Sequence, residues 1–170
     1  MKVMVVGPGA FGIKHLDSIK NIDGVEAVSL VGRKLNKTQQ VANDYGIAHV
    51  SIDLATALAE TAAEAVILCT PTQQHAAESI QCMEAGKHVQ VEIPLADTWV
   101  DAEAVMDKQK ETGLTCMGGH TRRFNPSHQW VNKRIKAGEL KIQQLDVLVE
   151  TKTKDDVFVR LKISVQFQVI

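Results

Sequence analysis

The chain lacks most of the features that announce a specialised environment or chemistry. It has three cysteines, Cys69, Cys82 and Cys116, and no C-x-x-C spacing. An odd, scattered set without a secretory signal argues against a disulfide framework and predicts reduced thiols packed as small apolar groups. No apolar run approaches the roughly 20 residues of a membrane helix. The opening run Met1–Val6 is broken by Gly7 well before it could serve as a signal peptide. Formal net charge is −1, so there is neither a basic field for nucleic acid nor an acidic solvating tail. His15, His49 and His88 have no histidine or cysteine two to four positions away, which predicts no zinc site. These absences predict a cytoplasmic protein with neither a membrane nor a nucleic acid as partner.

What is present is alternation. Strand-like runs occur at Lys2–Val6, Ala27–Val31, His49–Ser51, Ala65–Cys69, Lys87–Val91 and Thr115–Met117. Helical stretches lie between them at Phe11–Lys20, Lys37–Tyr45, Leu54–Glu60, Gln74–Glu84 and Trp99–Glu111. Asn36 and Thr98 read as N-caps, Asp101 completes a Thr-x-x-Asp box, and Gly46, Gly86 and Gly113 follow helix ends. Several strands are apolar on both faces, as strands between two helix layers must be. The pattern predicts an α/β fold with a doubly wound parallel sheet over residues 1–120. Residues 121–170 change character. Pro126–Lys136 reads as a helix with Trp130, Val131 and Ile135 towards one side, and Leu140–Glu150 and Val157–Ile170 read as strands around the polar turn Lys152–Asp156. This is the start of a second, α+β unit.

Gly7-Pro8-Gly9-Ala10-Phe11-Gly12 matches G-x-G-x-x-G between a predicted strand and a predicted helix, the setting of a Rossmann dinucleotide fingerprint. Gly7 permits the tight turn, Gly9 lets backbone approach a pyrophosphate, and Gly12 allows close helix–strand packing. Ala10 and Phe11 then open a helix whose free N–H groups and positive dipole end suit phosphates. An NAD-type site places an acid about 20 residues beyond the fingerprint to hold the ribose hydroxyls. That position reads Gly32-Arg33-Lys34 instead. A carboxylate would repel a 2′-phosphate, whereas Arg33 can pair with it bidentately, with Lys34 beside it. The reading is NADP, with NAD the less favoured cofactor.

Two further stretches, Cys69-Thr70-Pro71-Thr72-Gln73-Gln74-His75 and Glu92-Ile93-Pro94, stand with the fingerprint in an order and spacing that resembles the glucose–fructose oxidoreductase / inositol dehydrogenase family. The resemblance implies that Thr70, Pro71, Thr72 and His75 lie beside the cofactor and that Glu92, Ile93 and Pro94 meet its nicotinamide ribose. Ile93 replaces the family's usual lysine and can move no proton. Together with Lys14–Asp17, Ile22–Val25, His88–Asp97 and Gly119–His128, it resembles the branch that oxidises a small carboxylated semialdehyde. The likeness fades after Asp146, so the C-terminal domain that closes the family's substrate pocket is expected to be truncated. The alternative to an enzyme is therefore a module that binds NADP(H) without turnover.

On the substrate side, the planar forks of Arg122 and Arg123 suit a dicarboxylate. His120, at the end of the sixth strand, is the candidate base. Val157–Ile170 alternates in part, and the resemblance implies homodimer pairing through such C-terminal strands.

Overall fold

Val3, Met4, Val5 and Val6 are apolar without a break, and in the computed structural model all four are buried in the middle of a sheet covered on both faces. The structure describes residues 1–139 and the backbone of strands Lys141–Lys152 and Phe158–Val169; the turn expected at Lys152–Asp156 falls, apart from Lys152, outside them. The chain divides into two compact units, Met1–His120 and Thr121–Ile170.

In the first unit β1 (Lys2–Val6), α1 (Ala10–Ile19), β2 (Glu26–Val31), α2 (Leu35–Tyr45), β3 (His49–Ser51), α3 (Leu54–Glu60), β4 (Ala65–Leu68), α4 (Thr72–Glu84), β5 (His88–Val91), α5 (Trp99–Thr112) and β6 (Cys116–Gly118) follow in strict alternation. The six strands are ordered β3-β2-β1-β4-β5-β6 and every neighbouring pair is parallel. Side chains alternate across a strand, and the core divides accordingly. Val3, Val5, Leu30 and Ile67 pack with Leu16 and Ile19 of α1 and Val41 of α2 on one face. Met4, Val6, Val31, Val66 and Leu68 pack with Leu58 of α3, Met83 of α4 and Val105 of α5 on the other. Each buried aliphatic side chain is worth about 1.5–3 kcal/mol, so the two half-cores hold the sheet from both sides.

Local signals fix most helix ends. Thr98 caps α5 by accepting from Asp101 N–H at 3.2 Å, and its hydroxyl donates to the Asp101 carboxylate at 2.7 Å. Gly46 and Gly113 end α2 and α5 in the left-handed region. The cap expected at Asn36 does not form. Helix α2 begins earlier, with Lys34 as N-cap, and both the N–H and the hydroxyl of Thr38 donate to the Lys34 carbonyl. Cys82 is buried in the core and Cys69 and Cys116 are half-buried.

The second unit holds a 3-10 turn (Thr121–Phe124), α6 (Pro126–Lys136), and an antiparallel pair, β7 (Lys141–Lys152) with β8 (Phe158–Val169). Asn125 caps α6 by accepting from the Ser127 and His128 N–H groups. Trp130 lies beneath the Arg134 guanidinium at 4.3 Å.

Candidate dinucleotide site

Strand order reverses between β1 and β4, because the chain leaves β1 towards one helix layer and β4 towards the other. Open α/β sheets bind ligands in the crevice at this switch point, outside the carboxyl ends of the strands. A cleft of about 390 Å³ lies there. Its floor is Val6–Gly9; one wall is Gly32, Arg33, Lys34, Lys37 and Thr38, and the other is Cys69, Thr70, Pro71, Gln74 and Glu78.

The glycines of the fingerprint separate by physical cause. Gly7 has φ +99°, and a Cβ there would stand 2.6 Å from the Cys69 carbonyl oxygen. At Gly12 a Cβ would stand 2.0 Å from the Gly7 carbonyl oxygen. Both glycines are demanded by the protein's own packing. Gly9 is not: its φ of −89° is open to any residue, and a Cβ there would meet no atom within 4 Å. The space over Gly9 is open to the cleft, as close backbone approach of a ligand requires.

Charge in the cleft is largely positive. Helices α1, α2 and α4 begin at its wall or floor, and none has a side-chain cap on its N-terminus. Their first N–H groups have no intrahelical partner and carry the positive dipole end. Arg33, Lys34 and Lys37 are exposed on the wall, and none of them forms an ion pair among the described residues. Gly32 lets this wall close on the floor, since a Cβ would meet Pro8 at 2.6 Å and Thr38 at 2.5 Å. Lys37, Thr38, Gln74 and Glu78 escaped the sequence reading. Lys37 was legible as a cation in the first turn after Arg33-Lys34; the others depend on how α2 and α4 are rotated.

Glu78 is the one carboxylate on the cleft wall among the described residues, and it accepts a short hydrogen bond from the Thr70 hydroxyl. Burial holds its acid above the ordinary range, while the Thr70 hydrogen bond and nearby His75 pull the other way. A group whose folded pKa is raised keeps more protons in the folded state than in the unfolded one. Its contribution is therefore full below the unfolded value of about 4.3 and is lost as pH rises through the folded value. Glu78→Gln removes that loss. In paired urea titrations the variant should gain on the parent chain as pH rises from 4 to 7; a constant difference would mean that Glu78 does not titrate in this window.

The remaining candidates differ in placement. Thr70 and Pro71 line the cleft, whereas Thr72 starts α4 outside its lining, and exposed Ala10 and Phe11 head α1. His75 is placed differently from the expected cofactor contact: it is 1% exposed, with Nδ1 2.7 Å from the Pro94 carbonyl and Nε2 2.8 Å from the Thr70 carbonyl. Helical phase turns it inward from α4, so it ties the two loops together. Glu92 follows β5 directly, is largely buried, and hydrogen-bonds His15 Nε2 at 2.6 Å, while Ile93 is half exposed. His15 projects from α1 as an unforeseen partner of that carboxylate. His120 is exposed two residues past β6, and Arg122 and Arg123 are exposed in the 3-10 turn of the second unit. Burial, with the Glu92 charge adding to it, pushes the Cys69 thiol up to about 12, so it is no ready nucleophile.

The chain is 63% identical over 147 residues to 4-carboxy-2-hydroxymuconate-6-semialdehyde dehydrogenase of Sphingobium sp., a match covering 86% of this chain and 47% of that protein. It is 33% identical to scyllo-inositol 2-dehydrogenase (NAD(+)) of Bacillus subtilis, covering 82% of the chain and 41% of the relative. The chain thus spans less than half the length of these curated relatives. Among solved structures, the WlbA dehydrogenase from Bordetella pertussis, crystallised with NADH and UDP-GlcNAcA, superposes with a TM-score of 0.77 at 28% identity, covering 81% of this chain and 42% of that one. The family model described as an oxidoreductase family with an NAD-binding Rossmann fold matches residues 1–120. By that match the chain belongs to the Gfo/Idh/MocA oxidoreductases.

Proposed function

We propose that the cleft seats NADP(H) and that the protein to which this chain corresponds oxidises 4-carboxy-2-hydroxymuconate-6-semialdehyde, as its cyclic hemiacetal, to 2-pyrone-4,6-dicarboxylate. The observation that carries the cofactor reading is the pairing of an open, uncapped glycine turn with Arg33, Lys34 and Lys37, which form no ion pair among the described residues, where an NAD-type site needs an acid. Bound there, NADP⁺ supplies the hydride acceptor. The floor amides hold the pyrophosphate, and the Arg33 fork holds the 2′-phosphate. Glu92, locked by His15, orients the nicotinamide ribose beside Ile93 and Pro94. Arg122 and Arg123 pair with the substrate carboxylates, and His120 takes the hemiacetal hydroxyl proton. The substrate reading rests on the 63% identity to the semialdehyde dehydrogenase.

Charge-assisted hydrogen bonds are worth about 1.5–3 kcal/mol, which is roughly a ten- to 150-fold change in affinity. Arg33→Ala should therefore weaken NADPH by that factor in a fluorescence titration and leave NADH unchanged. An equal loss for both dinucleotides would remove the 2′-phosphate assignment. NADPH formation with the semialdehyde tests the reaction. The second reading is a binding module without turnover; NADPH binding without product from well-folded chain would select it.

A further inference from the structure

We propose that His15, Cys69 and Glu92 form a binding site for a thiol-seeking divalent cation, Zn²⁺ or Cd²⁺, and that the bound ion blocks the dinucleotide cleft. Each residue offers one ligand atom, and the three atoms all lie within 4.8 Å of one another. They are brought together from α1, the residue after β4 and the residue after β5, with His15 and Glu92 separated by 77 positions. Their side chains are only 16% and 12% exposed, so little freedom remains to be lost on binding.

Imidazole nitrogen, thiolate sulfur and carboxylate oxygen are all zinc donors. A mixed set containing sulfur favours zinc-like ions over magnesium or calcium, which prefer oxygen alone. Zinc–donor distances of about 2.0–2.3 Å in a tetrahedron place the donors about 3.3–3.7 Å apart. The 2.6 Å contact between His15 and Glu92 opens slightly to reach that spacing, and the sulfur moves in. Coordination breaks the Cys69 S–H bond and forms S–M, with the proton released to solvent. His15 binds through Nε2 as the Nδ1–H tautomer, Glu92 binds through one oxygen, and water completes the shell; no electron is transferred. The blocking follows from position. Cys69 is a wall residue of the cleft, and its Cβ lies 3.4 Å from where a Gly7 Cβ would stand.

The test is a Cd²⁺ titration of the dinucleotide-free chain, followed by the ultraviolet thiolate-to-cadmium band. The band should saturate at one equivalent and vanish in Cys69→Ser and Cys69→Ala. In His15→Gln its midpoint should rise at least tenfold, with circular dichroism unchanged in each variant. A band that survives loss of the Cys69 thiol, or one indifferent to His15→Gln, overturns the site. One equivalent of Zn²⁺ should raise the apparent NADPH Kd at least tenfold in the parent chain and not in Cys69→Ser; unchanged affinity in the parent overturns the blocking. Because the band is read without dinucleotide, its failure is distinct from a failure of the NADP proposal.

Discussion

Gly9→Asp should weaken NADPH binding by about 100-fold, or roughly 2.7 kcal/mol, while leaving the chain as stable as before or slightly more so. The two effects have opposite signs because they arise in different places. For the protein, Gly9 is the N-cap of α1, with an extended backbone and an empty Cβ direction. Aspartate is a better N-cap than glycine by a few tenths of a kcal/mol, and its charge adds about 0.3–1 kcal/mol at the positive helix end. For the ligand, the same carboxylate occupies the amides meant for a pyrophosphate and repels it. Calorimetric titration and thermal melts on one preparation check both halves. Unchanged affinity would show that the turn over Gly9 is not where the phosphates sit.

Gly12→Ala should lower the melting midpoint by roughly 5–10 °C, the equivalent of about 2 kcal/mol or more in a chain of this size. Alanine gains about 1 kcal/mol of helix propensity over glycine. Against this, its Cβ would lie 2.0 Å from the Gly7 carbonyl oxygen. Overpacking costs typically about 1–3 kcal/mol when neighbours can give way. Here the neighbour cannot, because Gly7 is itself held at φ +99° against the Cys69 carbonyl. The net cost should therefore exceed the propensity gain. A melt within 2 °C of the parent, on the same scale of about 2–4 °C per kcal/mol, would mean that the turn relaxes more freely than this geometry allows.

Much of the fold could be read in advance because its signals are local. The unbroken apolar run in β1, the glycine turn and the Thr98 box each depend on a few consecutive residues, and each stands where the sequence places it. The helix starts drifted where caps are absent. With no side-chain cap on α2 or α4, nothing in the sequence marks their first residue, and both begin two residues earlier than their hydrophobic pattern implies. The site was legible only as far as its parts are contiguous. His15, Cys69 and Glu92 meet through three elements that no spacing rule links. His75 follows Thr-Pro-Thr-Gln-Gln and reads as a cleft residue, yet two carbonyls and 1% exposure make it a tie between loops.

The cleft floor between Val6 and Gly9 presents mostly main chain, while Arg33, Lys34 and Lys37 stand on the adjoining wall as exposed side chains. A substitution can delete a guanidinium, but it cannot delete a peptide N–H unless it introduces proline. In this scaffold the floor amides themselves survive most substitutions and are lost to a ligand only where an added side chain occupies them, as at the open Gly9. If Arg33 selects the dinucleotide as proposed, that choice rests on a side chain at the tip of β2 and can be re-engineered there without rebuilding the seat beneath.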